Sequence, residues 1–213
     1  MKTKCILLFL VCTLLSCELR SLQEDYRPMI VEGYEWTIQI EAYPNGPGID
    51  EDTIIDIQRI EGDSIIGKHT YKKMLSKIEG RYDQWKVVAL LREDVKKQRV
   101  YLWIDGEERL YYDFGLRVGG HAQLYVHEFI PDGTVQLNKI TQKKDTQGKP
   151  YRLFHYTITD EEGYNYDYIV YERFGSSTGI LYNYVGLDGD ARIHIKEARD
   201  EHGNVILTDK NLP

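Results

Sequence analysis

The sequence predicts an all-β domain, an antiparallel sandwich or partly closed barrel of roughly ten to twelve strands. Three observations predict it. From Tyr34 onward apolar and polar side chains alternate with a period of two, the signature of half-buried strands. Glycine-containing turn pairs separate the alternating stretches. Sustained helical spacing is absent, and the one stretch where a helical period competes is Lys72–Ile78.

The elements follow in order. In Tyr34–Glu41 every even position is apolar, and Asn45-Gly46-Pro47-Gly48 closes that strand. Thr53–Ile60 and His69–Leu75 come next, with Gly62-Asp63 as the turn expected between them. Trp85–Arg92 precedes Arg99–Ile104, which Asp105-Gly106 joins to Arg109–Phe114 as a tight hairpin, because such pairs adopt the positive φ angles that short turns require. Ala122–Ile130 leads through Asp132-Gly133 to Thr134–Thr141, and Gln147-Gly148 leads to Tyr151–Ile158. Glu162-Gly163, Asp188-Gly189 and Gly203-Asn204 introduce Tyr166–Phe174, Ala191–Glu197 and Val205–Thr208.

Ahead of this domain, residues 1–16 read as a lipoprotein signal peptide. Lys2 and Lys4 supply a positive start, Ile6 to Leu15 form an almost wholly apolar run, and Leu14-Leu15-Ser16-Cys17 fits the lipobox pattern. The run is ten residues long, whereas a membrane-crossing helix needs about 20. The segment is therefore expected to be a removable export signal. Cleavage makes Cys17 the first residue and the acylation site, so the expected membrane partner is reached through lipid on Cys17. Residues 17–32 are expected to be a tether and residues 33–213 a single β-rich domain. The expected location is the outer membrane, lipid-anchored, on the periplasmic face or the cell surface.

The chain carries 27 basic and 34 acidic side chains, a net charge of −7, and loss of Lys2 and Lys4 takes it to −9. So acidic a protein argues against nucleic acid as a partner, because that affinity rests on cations neutralising phosphates. All three cysteines fall at or before Cys17. The mature domain is thus expected to hold no disulfide, thiolate nucleophile or cysteine metal ligand.

A resemblance covers most of the chain. Val31-Glu32-Gly33-Tyr34-Glu35-Trp36 resembles a VEGxxW opening, and Glu61–Lys68 with Tyr71-Lys72-Lys73 resembles a GDxIIxGKxYKK block. Leu90–Asp94 with Val100-Tyr101 resembles an LRED hairpin, Tyr112–Gly119 a YDFxLxVG motif, and Gly175–Tyr182 a GSSxGLLY stretch. Together they resemble a family of Bacteroidetes lipoproteins and secreted proteins. The sequence departs from that pattern at Gly120, where the family usually has aspartate, and at Arg173-Phe174, where it usually has Gly-Ile. The resemblance implies an exported, β-rich single domain and carries no catalytic residue with it.

Candidate chemistry is sparse. His121 and His127 share a strand face but lie roughly 20 Å apart along it, so one ion cannot bridge them; neither a metal site nor any cofactor is expected. Carboxylates cluster at Asp50-Glu51-Asp52, Asp160-Glu161-Glu162 and Asp188-x-Asp190, where turns explain them better than a calcium loop. Gly175-Ser176-Ser177 lacks the strand–elbow–helix setting of a serine nucleophile. The strongest hint is aromatic: of 17 tyrosines, Tyr164, Tyr166 and Tyr168 fall on one strand face, an arrangement suited to stacking on sugars. The alternative is that these rings fill the core. The expectation is a non-catalytic binding or scaffolding role with a glycan or envelope-protein ligand. An exported hydrolase of polysaccharide or peptide using acids such as Asp113 or Glu172, and a small-ligand carrier barrel, stand as alternatives.

Overall fold

The structure, a computed structural model, describes residues 26–42, 52–81, 84–126, 133–159, 163–181 and 191–212. Thirteen strands appear among them. One antiparallel sheet contains β1 (Glu35–Ala42), β2 (Asp52–Ile66), β3 (His69–Ile78), β4 (Lys86–Asp94), β5 (Arg99–Ile104) and β6 (Glu107–Asp113), together with β12 (Ala191–Arg199) and β13 (Val205–Thr208). The other contains β7 (His121–Leu124), β8 (Gly133–Lys144), β9 (Pro150–Thr159), β10 (Asn165–Tyr171) and β11 (Gly175–Ser176). The strand orders are β13-β12-β1-β2-β3-β4-β5-β6 and β11-β10-β9-β8-β7. The only helical element among the described residues is a 3-10 turn at Asp209–Asn211.

The two sheets are stitched at both ends. Tyr125 N donates to Leu110 O (2.8 Å) where β7 meets β6, and Ile195 N donates to Ser177 O (2.9 Å) where β12 meets the end of β11. These bonds use edge groups that would otherwise stand open to other chains. One sheet curls strongly into a half-barrel, and the architecture is the sandwich or partly closed barrel that the alternation predicts. Between the sheets, Trp36, Ile38, Ile60 and Met74 face Val135, Leu137, Phe154 and Ile158, all fully buried.

Most strand positions agree with the alternation, and three local features differ. Gly62-Asp63 is not a turn. Gly62 (φ 78°) sits at a bulge inside the long β2, and the chain reverses later, at Gly67-Lys68, pairing Ile66 with His69. A bulge absorbs one extra residue and bends the strand without ending it. Lys72–Ile78 is strand. The expected Tyr166–Phe174 stops at Tyr171, because Arg173 adopts a φ of 77° and turns the chain towards β11. The Asp105-Gly106 hairpin is as expected, with both residues at positive φ (53° and 81°).

The tether expectation needs correction over residues 26–32. Tyr26, Met29 and Ile30 are buried in the core, because this segment carries enough apolar surface to offset its ordering entropy. Its backbone is held by the half-buried Glu93, which accepts from Met29 N (3.1 Å) and Ile30 N (3.0 Å) and from the Tyr26 hydroxyl. Residues 17–25, Cys17 and the signal segment lie outside the described residues.

Burial pushes the Glu93 carboxyl pKa up, against the lowering pull of hydrogen bonds from Tyr26, Ile30 and Met29. Above the ordinary glutamate value of about 4.3 the native state therefore retains this proton longer than the unfolded chain does, and stability falls as pH rises through that interval. Glu93→Gln lacks the titration. Its stability relative to the parent is expected to climb as pH is raised from about 4 towards neutrality, read by urea unfolding at stepped pH. A flat or falling difference would refute this account of Glu93.

Candidate functional site

Alternation along β7–β10 sends one set of side chains inward and the other to solvent, and strand register aligns the outward set into rows. Gln123 pairs with Thr134, Thr134 with Thr159, and Thr159 with Asn165. The next row runs His121, Gln136, Thr157, Asp167. Neighbouring strands lie about 4.8 Å apart, so each row spans about 14 Å. Local bonds brace the array: Asn138 Nδ2 donates to Thr157 Oγ1 (2.7 Å), and the Thr159 hydroxyl donates to Asn165 Oδ1 (2.7 Å). All of the row residues except Gln123 line an open depression of about 600 Å³.

The chemistry of this platform is hydrogen bonding. It presents hydroxyls, amides, one imidazole and one carboxylate, and its lining contains no aliphatic side chain. His121 and Asp167 stand at opposite ends of a row, three strand gaps apart, far beyond the roughly 3 Å that a proton-transfer pair requires. Beyond the rows, His155 contacts Thr141 Oγ1 through Nε2 (2.8 Å), and burial and then the Lys139 charge push its pKa down.

The residues singled out from sequence fall in different places. Tyr164 is 60% exposed, Tyr166 is partly buried against the core, and Tyr168 is 5% exposed, with its ring 6.3 Å from that of Tyr156. Tyr166 and Tyr168 share the core face of β10, while Tyr164 lies just before the strand and is exposed beside Asn165, so the three form no exposed stacking platform. Burial raises the Tyr168 hydroxyl pKa well above its ordinary value. The aromatic content fills the interior, in contacts such as Tyr111–Tyr112 (4.5 Å) and Phe114–Phe154 (5.2 Å).

The acids named for a hydrolase are engaged by the chain itself. Asp113 accepts from Arg99 Nε (2.8 Å) and Gly115 N (3.0 Å), and burial raises its pKa despite the Arg99 charge. Glu172 accepts from Arg152 Nη2 (2.7 Å) and Nε (3.1 Å), and both side chains are buried. Ser176 Oγ donates to Gly179 O (3.0 Å) and closes a tight turn. Among the described residues, no group of three or more His, Cys, Asp or Glu is placed to hold a metal ion. His127, Asp160–Glu162 and Asp188–Asp190 lie outside the described residues, as do Asp50 and Glu51.

The polar platform was missed in sequence because threonine, glutamine and asparagine on alternate positions look like any solvated strand face; the signal was their recurrence on four strands. Comparison with protein-family models, with curated proteins and with solved structures finds no match for this chain.

Proposed function

We propose that this is a lipid-anchored envelope protein of the Bacteroidetes lipoprotein type that binds glycan without transforming it. The observation that carries the reading is the two-row platform on β7–β10, a broad array of mostly uncharged donors and acceptors with one carboxylate, suited to sugar hydroxyls. Lipid on Cys17 would hold the domain at the outer membrane, on its periplasmic face or at the cell surface. Tyr164, exposed next to Asn165 of the platform, is more open to stack on a sugar than Tyr166 or Tyr168.

The test is a glycan array followed by titration with the best hit. The double variant Gln136→Ala/Asp167→Ala is expected to lose at least about tenfold in affinity, as two hydrogen bonds near 1 kcal/mol each would give. Both side chains are exposed, so folding should be unaffected. Unchanged binding by this variant would remove the platform from the reading.

A further inference from the structure

A second concavity, of about 420 Å³, opens between the β4–β5 turn and the segment that follows β6. Phe114 N donates to Gln98 O (2.8 Å), drawing the two together. Gly115 permits the approach, since a Cβ there would lie 2.6 Å from Lys97 O. The cleft is thus a built feature of the fold.

Its lining joins two chemistries. Phe114, Leu116 and Ile140 form an apolar wall, while Lys96, Arg117 and Arg152 place cations around it, and no carboxylate lines it. That concentration stands out in a chain of net charge −7. Lys96 and Arg117 are exposed and make no ion pair among the described residues. Lys97, also on the rim, is loosely paired with Asp94 at 3.8 Å. Arg152 commits Nε and Nη2 to Glu172 and Gln98, and Nη1 makes no hydrogen bond among the described residues.

We infer that this cleft binds an amphipathic organic anion, a carboxylate or phosphate head on an apolar body. A bare inorganic anion would leave the apolar wall against water, and a neutral apolar molecule would desolvate unpaired cations at a cost. The volume lies in the range of small-molecule sites. The site is separate from the platform on β7–β10 and does not depend on the glycan reading.

Decanoate and naphthoate represent acyl and aryl sources of the same chemistry, with decanol and inorganic phosphate as controls, titrated by calorimetry into the intact domain. One or both organic anions are expected to bind, and the stronger of the two identifies the source. Lys96→Gln/Arg117→Gln is expected to weaken that binding about tenfold, as loss of two nearby charges in a partly hydrated cleft implies. An unchanged circular dichroism spectrum for this surface variant confirms that folding is intact. Decanol or inorganic phosphate binding as tightly as the organic anions would overturn the proposal. So would an unaltered double variant, or no binding of either organic anion at millimolar concentration.

Discussion

Arg152→Met is expected to destabilise the protein by about 3–5 kcal/mol, because it strands a buried carboxylate. The Arg152 and Glu172 side chains are 8% and 3% exposed, joined by two charge-assisted bonds. Glu172 also accepts from Arg152 N (3.1 Å), so the carboxylate stays in place when the guanidinium is removed, with most of its charge uncompensated. A loss of this size is a large share of the 5–15 kcal/mol typical of a folded domain. The double variant Arg152→Met/Glu172→Leu is expected to recover much of it, since an apolar pair can replace a buried ion pair at little cost. Urea unfolding of the three proteins measures both effects. A single variant within about 1 kcal/mol of the parent would mean that water reaches the pair and screens it.

Met29→Ala is expected to cost about 2–5 kcal/mol, the usual range for truncating a fully buried methionine. Met29 has no exposed surface. It is flanked by Tyr26, whose ring lies 5.8 Å from that of Phe114, and by Ile30, so the segment is a strap across the core. Thermal or urea unfolding reads the change directly. A loss below about 0.5 kcal/mol, the range of ordinary surface substitutions, would restore residues 26–32 to the tether that their composition suggests.

The strap shows where composition misleads. Arg20, Gln23, Glu24, Asp25 and Arg27 lower the average apolarity of residues 17–32. That average hides Tyr26, Met29 and Ile30, which lie close together in sequence and enter the core together. Their backbone N–H groups then need acceptors, and Glu93, far along the chain, supplies them for Met29 and Ile30. No local pattern in the sequence connects residue 93 to residue 29. Arg173 makes a related point. Its φ of 77° is one that glycine adopts freely and other residues rarely do. The buried Asp145 carboxylate (3.0 Å) and the Tyr34 hydroxyl (3.1 Å) hold the arginine there. Such strain persists where the surroundings over-determine the conformation.

By itself the sequence determined the all-β class and most strand positions, and it placed Tyr166 and Tyr168 on one face of β10. Alternation and turn pairs are local, and a period of two survives in any tertiary setting. Only the tertiary structure decided which face is inside. It sent Tyr168 into the core and left Thr157 and Asp167 outside, because a strand's two faces acquire different surroundings only when a second sheet packs against one of them. It also decided which polar residues stand side by side, since cross-strand register depends on chain closure over distances that no short window of sequence records.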